Sequence, residues 1–519
     1  MQVASFPTRA LFGIEALEVS VEAHISPGLP AFVIVGLPET AVKESKERVR
    51  CAIVNSGFDF PEERITINLA PADLPKAGGR YDLAIALAVL IASEQLGTGL
   101  AAIGELELLG ELALDGTLRT VPGVVQAVLA ARVSKRGIVV PAANAHELAI
   151  VDYSLALGVG SLTDLVALIA RLDNPEATLL SAMAAARALS AADENETAIA
   201  SSPRARFAPI RGQARAIRAL EIAAAGGHNL LMLGPPGSGK TLLATTLSKL
   251  LPRMTRDEAL EVACIRSAAG GATALGPAVD RPLRTPHHSA TAPSLVGGGA
   301  NATPGDITLA HRGVLFLDEL TEFKPNVLNA LREPLEAGSI TISRARYRVE
   351  FPANFQLVAA MNPCPCGYVG DPRRRCRCTP DRVRNYLGKV SGPLLDRFDL
   401  IIEVPALSHA ELLARGNDDE QWSSRCKHVA ACRDLQHGRQ QVLNSDLSPV
   451  QLDGACELTD ANRAGLVTLF DKLKVSARGA HRVLRVARTI ADYDGSAEVT
   501  QAHYLEAAGY RRGGFEGVY

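Results

Sequence analysis

Residues 234–241 read GPPGSGKT and follow the apolar run NLLML at 229–233. The eight positions match G-x-x-x-x-G-K-[ST] and stand where a strand would run into a helix, the context in which this pattern holds phosphate. Gly234, Pro235, Pro236, Gly237, Ser238, Gly239, Lys240 and Thr241 therefore form a candidate phosphate loop. Its glycines let backbone amides turn inward, and the helix start favours negative charge. Lys240 would reach the β- and γ-phosphates of ATP, and Thr241 would ligate Mg2+. The competing reading is a glycine-rich turn without a ligand, and the full pattern in strand-to-helix order argues against it.

Further along, GVLFLDEL (313–320) predicts a buried strand, Val314–Leu317, ending in Asp318 and Glu319. Beside a phosphate loop, Asp318 would hold Mg2+ through Thr241 and water, and Glu319 would polarise the attacking water. Without that loop the pair would read as an acidic strand cap. FQLVAAMN (355–362) predicts another apolar strand ending in Asn362, an amide placed to orient water at the γ-phosphate. SGPLLDRFDL (391–400) offers Arg397 as a donor to developing phosphate charge. SARGAHRVLRVAR (476–488) sets Arg478, Arg482 and Arg485 on one helix face. Arg478, at the helix start, is the candidate γ-phosphate sensor, while Arg482 and Arg485 read equally well as ordinary surface arginines.

The chain has 519 residues, 47% of them apolar, enough for about three domains with cores of their own. Its longest apolar run, Leu83 to about Ser93, is too short to span a bilayer, and no leader pattern opens the sequence, so a cytoplasmic protein without a membrane partner is expected. In that reducing compartment the nine cysteines favour metal or redox chemistry over disulfides. The net charge of −2 conceals an asymmetry: residues 1–200 carry 14 basic and 24 acidic side chains, and residues 201–400 carry 26 and 16. A polyanionic partner at the centre is the reading that follows, nucleotide or nucleic acid.

The fold class expected is α/β and multidomain. In the first 170 residues, β-rich runs (32–35, 65–69, 137–140) alternate with helical ones (41–55, 83–93, 123–132). Residues 173–205, rich in Ala, Ser and short polar residues, read as a linker. Residues 206–405 carry the phosphate motifs, and 406–519 are helical in pattern. The loop at 285–305, TPHHSATAPSLVGGGANATPG, is expected to be exposed, flexible and free of helix because of its prolines and glycines.

Taken together, GPPGSGKT, VLFLDEL, AAMNPCPCG, SGPLLDRFDL and SARGAHRVLRVARTIADYDG resemble the magnesium-chelatase-like AAA+ ATPases, most closely the ComM/YifB family, over nearly the whole chain. The resemblance implies an AAA+ core with a parallel sheet and a C-terminal helical lid. It also implies a homo-hexamer with ATP between subunits, Arg397 as arginine finger, Asn362 as first sensor and Arg478 as second sensor. A DNA helicase for branch migration in natural transformation and homologous recombination is the implied function, with single-stranded or branched DNA and recombination proteins as partners. Metal insertion by a chelatase-like chaperone, or protein remodelling, are the alternatives.

The segments GLPETAVKESKERVRCAI (36–53), NLAPADLPKAGGRYDLAIALAVL (68–90) and GELALDGTLRTVPGVVQAVLAA (110–131) resemble the Lon proteolytic domain. Residues 1–172 are accordingly expected to form a Lon-like, S5-domain-2-like α+β domain. The resemblance puts the serine position at Tyr81 and the lysine position at Val125, and neither supports peptidase chemistry. Lys76, in PKAGG, reads as a solvated loop lysine, with a phosphate contact as its alternative.

EAGSITISRARYRVEFP (336–352) predicts a hairpin with Arg344 and Arg346 at a basic tip. By the resemblance, this tip and the 285–305 loop would project into a ring channel and follow a phosphate backbone. The bland alternative takes Arg344, Arg346 and Arg348 as one solvated hairpin face. In MNPCPCGYVGDPRRRCRCTP (361–380), Cys364, Cys366, Cys376 and Cys378 make a complete tetrahedral set for structural Zn2+, the alternatives being four free thiols or a redox pair. His287 and His288 are distant substitute ligands. Binding would staple a loop presenting Arg373, Arg374 and Arg375 to DNA.

Overall fold

The computed structural model describes residues 3–96, 106–172, 183, 207, 210–270, 280–298, 303–343, 348–371, 374–413, 419–456, 460–473 and 476–512. They fall into two compact units, and the first comprises Met1–Ser202, Arg256–Ala278 and Gly299–Pro304.

In this first unit, the strands β1 (Val3–Phe12), β2 (Glu15–Ser26), β3 (Ala31–Val35) and β4 (Arg64–Ala70) pair in the order β1-β2-β4-β3, with only β3 and β4 parallel. Period-two alternation puts Val19, Val21 and Ala23 of β2 on the same buried face as Ile65, Ile67 and Leu69 of β4. The apolar run proposed above becomes the helix Asp82–Ala92, whose residues are all buried in this core. Among the described residues no helix is long and apolar enough to cross a membrane. A second sheet, all parallel, holds β5 (Leu106–Leu108), β6 (Gly137–Pro141) and β7 (Ala156–Val159).

Tyr81 and Val125 are both buried core residues. Lys76 is not the solvated lysine expected: it is fully buried, and its Nζ donates to the Pro71 carbonyl, while burial lowers its pKa against the pull of Asp73. The helix Arg256–Ala268 likewise departs from the sequence division, which placed it with residues 206–405. It packs in the first unit against the helix Val124–Ser134, where Gln126 Nε2 donates to the Cys264 carbonyl at 2.7 Å and Ser267 Oγ donates to Glu147.

The second unit comprises Pro203–Thr255, Val279–Gly298 and Gly305–Tyr519. At its centre lie five parallel strands, β8 (Leu230–Leu233), β9 (Leu283–Arg284), β10 (Val314–Leu317), β11 (Gln356–Met361) and β12 (Leu400–Glu403), in the order β9-β10-β11-β8-β12. The three central strands are buried on both faces, which is why each reads as an unbroken apolar run. The helices Ala214–Gly226, Lys240–Leu250, Asp419–Gln440 and Ala477–Tyr493 share its core. Within it Trp422 is fully buried and stacks on Phe207 with ring centroids 5.1 Å apart. Residues beyond 405 belong to this compact unit and make no unit of their own.

The segment expected to exclude helix contains one, Ala292–Val296. Thr291 caps it by accepting from Ser294 N at 3.4 Å, Pro293 lies in its first turn where no backbone donor is needed, and Leu295 is buried. The basic hairpin pairs Ser339–Ser343 with Arg348–Pro352 in antiparallel register, Ser343 opposite Arg348. Ile340, Ile342, Val349 and Phe351 form its buried face. Arg344 and Arg346 lie outside the described residues, and Arg348 is exposed on the flank.

Candidate active site

Parallel pairing brings the carboxyl ends of β8, β10 and β11 to one edge of the sheet, the place where such sheets bind ligands. The phosphate loop leaves β8 there. Gly237 and Gly239 take φ of +75° and +90°, and a Cβ on Gly234 would lie 2.2 Å from the Val404 carbonyl oxygen. Lys240 is buried, and its Nζ donates to the Gly234 carbonyl at 2.8 Å, the Pro235 carbonyl at 3.0 Å and Asn362 Oδ1 at 3.3 Å. Burial lowers its pKa, opposed by the charges of Asp318 and Glu319. Thr241 Oγ1 donates to Asp318 Oδ2 at 2.7 Å. Lys240, Thr241, Asp318 and Asn362 thus meet at one point.

Glu319 follows in the left-handed region, at φ +52°, and its side chain is exposed. His288 Nδ1 stands 3.5 Å from Glu319 Oε2, and His287 Nδ1 lies 2.8 Å from Ser289 Oγ. The two histidines are therefore not substitute metal ligands: one faces the acidic pair and the other folds on its own turn. Strand order brings this about: β9 is parallel to β10, so the loop that follows it emerges at the same edge.

Arg397 pairs with Glu336, and its side chain is only 11% exposed. Burial lowers its pKa first, with Arg478 and Arg332 near enough to add to the effect. Arg397 and Arg478 therefore share one cationic patch, and Arg478 is exposed. Arg482 is buried and Arg485 half-buried and hydrogen-bonded, so neither is an ordinary solvated arginine. Arg482 Nε lies 3.6 Å from Asp399 Oδ1 in the interior, and Arg485 Nε donates to the Leu447 carbonyl at 2.9 Å. Asp399 also faces His228 at 3.5 Å and accepts from Asn229 N at 3.2 Å.

Burial by itself would raise the Asp399 pKa, yet His228, Arg482 and that backbone amide hold it below the ordinary carboxylate value. Its contribution to stability is thus complete above an unfolded pKa of about 3.9 and is lost as pH falls through the lower folded value. Asp399→Asn is expected to cost about 3 kcal/mol at neutral pH, since it strands the buried Arg482 charge. Denaturant unfolding at pH 7 measures the loss, and a series taken downward from pH 4 measures its pH dependence, the gap between wild type and variant narrowing only below that pH.

Cys364, Cys366, Cys376 and Cys378 present four sulfurs that all lie within 4.8 Å of one another. Cys364 Sγ is 3.4 Å from Cys366 Sγ and 3.7 Å from Cys376 Sγ, and the latter two are 3.5 Å apart. Tetrahedral Zn–S bonds of about 2.3 Å require sulfur edges of about 3.8 Å, so the set fits a metal with little movement. The Arg377 backbone amide pulls Cys366 down to about 6, whereas burial pushes Cys364 up to about 12. Of the three tip arginines, Arg374 is engaged internally, donating to Tyr368 Oη at 2.9 Å with its guanidinium 5.2 Å from that ring's centroid. Arg375 is exposed, and Arg373 lies outside the described residues. Arg377, which sequence reasoning passed over, is exposed beside Arg375.

A five-stranded parallel sheet with a phosphate loop, an acidic pair and a polar residue at adjacent strand ends defines an AAA+ nucleotide-binding unit of the P-loop class. Models of the magnesium chelatase subunit ChlI family match residues 206–412 and 21–144, and the model of that family's C-terminal segment matches 420–511. The chain belongs to the magnesium-chelatase-like ComM/YifB family. It is 45% identical over 511 residues to competence protein ComM of Haemophilus influenzae, covering 98% of each chain. It is also 45% identical to the YifB protein of Escherichia coli, over 98% of this chain and 97% of the relative. The magnesium-chelatase 38 kDa subunit of Acidiphilium rubrum is 27% identical over 58% of this chain and 88% of its own.

Proposed function

We propose that the protein is an ATP-driven DNA motor that works as a homo-hexamer in natural transformation and recombination. Supporting the DNA half of this reading is full-length similarity to a relative named for competence, joined to a central segment carrying 26 basic against 16 acidic residues. A chelatase-like role has weaker support, 27% identity over 58% of the chain.

The residues present fit ATP with Mg2+. Ser238 Oγ is a buried hydroxyl without a hydrogen-bond partner among the described residues, Lys240 is held over the loop by two carbonyls, and Thr241 and Asp318 already touch. When bound, ATP·Mg2+ supplies the cleavable phosphoanhydride and the charge that the loop recognises. Gly234–Thr241 would hold the phosphates, and Thr241 with Asp318 the metal. Glu319 takes the proton from the attacking water, and Asn362 orients that water. Arg397 of a neighbouring subunit, with Arg478, offsets the charge that develops at the γ-phosphate. The four cysteines would hold a structural zinc, and the closed ligand set would fix the arginine loop. Arg344 and Arg346, with Arg373 and Arg375, contact the DNA backbone.

Reversing Arg344 and Arg346 to glutamate tests the DNA half. DNA stimulation of ATP hydrolysis is expected to vanish while basal hydrolysis stays within about twofold of wild type, because backbone contacts carry nucleic-acid affinity and not the chemical step. Unchanged stimulation would remove the hairpin from the DNA path.

A further inference from the structure

The cysteine cluster and the phosphate loop touch. Gly367 follows the ligand Cys366 directly and adopts φ +83°, and a Cβ built on it would lie 2.5 Å from Cδ and 2.9 Å from Cγ of Pro236. The two segments also share a root. Gly234 N donates to the Met361 carbonyl at 3.2 Å, Lys240 reaches Asn362, and the chain passes from Asn362 through one proline into Cys364. The strand that carries the sensor amide and the knuckle that follows it therefore press on the phosphate loop from one side.

We propose that the metal-loaded cysteine knuckle is a buttress for the phosphate loop, with Gly367 and Pro236 as positioning residues, so that metal occupancy sets how tightly the protein grips nucleotide. The dependence on metal rests on the zinc reading above, whereas the contact between Gly367 and Pro236 does not. Zinc bound through Cys366 fixes the neighbouring glycine, and the glycine fixes the proline ring. The loop amides from Gly237 to Lys240 follow that ring directly. Release of the metal frees Cys366, lets Gly367 retreat and removes the support from Pro236.

The test compares Gly367→Ala with Gly370→Ala. Both glycines lie in the left-handed region, at +83° and +76°, so both substitutions strain the backbone, but none of the described residues lies within 4 Å of a Cβ at Gly370. Titration of the full chain with a fluorescent ATP analogue should show Gly367→Ala weakened by about tenfold or more, because small misplacements at a binding loop are amplified, and Gly370→Ala within about twofold of wild type. Adding Pro236→Ala to Gly367→Ala deletes the two atoms that the new Cβ meets, and should recover part of the affinity. Equal affinity of the two glycine variants, or no recovery in the double variant, overturns the buttress. Metal content is measured on every sample. If wild type holds one zinc, and Cys376→Ser with Cys378→Ser loses it without weakening nucleotide binding, the metal dependence is overturned while the zinc reading stands. If wild type holds no metal yet Gly367→Ala still weakens binding, the zinc reading fails while the contact stands.

Discussion

Glu319→Gln should abolish nearly all ATP hydrolysis, lowering the single-turnover rate by about 10²-fold or more, while nucleotide affinity stays within about threefold of wild type. The expectation follows from how the two neighbouring carboxylates are arranged. Asp318 is committed: it accepts from Thr241 Oγ1, and its other oxygen accepts from the Glu319 backbone amide at 2.9 Å. Glu319, turned by its left-handed backbone, has an exposed carboxylate whose described neighbour is His288 at 3.5 Å. Removing the charge from Asp318 would disturb metal and nucleotide binding together. Neutralising Glu319 removes the proton acceptor and leaves the binding loop intact. Loss of affinity equal to the loss of rate would contradict this division of roles.

If the proposed ring forms, Arg397→Ala is expected to be more severe still, with hydrolysis down by about 10³-fold and no rescue by Arg397→Lys. Inside its own chain Arg397 is paired with Glu336 and lies within electrostatic reach of Arg478, and its Nε is buried with no partner among the described residues. In the proposed ring the guanidinium exchanges the exposed Glu336 for a phosphate presented by the adjacent subunit. A mixing experiment separates this from action within one chain. Lys240→Ala subunits keep the finger and lose the phosphate grip, and Arg397→Ala subunits do the reverse. Mixed rings therefore contain some complete interfaces and should regain part of the activity. If Arg397 serves the ATP of its own chain, mixtures stay as inactive as their parents.

The parts of the fold that were legible in sequence share a physical cause. Strands β8, β10 and β11 are covered on both faces, so each appears as a largely apolar run, β8 leading into the glycines of the phosphate loop and β10 and β11 into Asp318 and Asn362. The phosphate loop is legible because its geometry admits few residues: Gly234 has no room for a side chain, and Gly237 and Gly239 need a backbone that others avoid. The strands β1 and β2 are harder to see. Half of each strand faces outward, and Thr8 and Arg9 are polar residues buried through tertiary partners, the Leu108 carbonyl at 2.6 Å and Glu107 Oε2 at 2.7 Å. Lys76 was misjudged for the same reason, since only the fold brings the Pro71 carbonyl to its amine. The helix Arg256–Ala268 reads as part of the nucleotide unit because it follows it in the chain. Its allegiance depends on long-range contacts such as that from Gln126 to Cys264. The partnership of His288 with Glu319 arises from strand order, which local periodicity does not encode.

The central claim is that ATP hydrolysis moves DNA, and a branch-migration assay on a synthetic four-way junction tests it most directly. Purified protein with ATP and Mg2+ should convert the junction to its duplex products, and Lys240→Ala should bind the junction and convert none of it. Failure of the wild-type protein to convert the junction, under conditions where it hydrolyses ATP, would contradict the account.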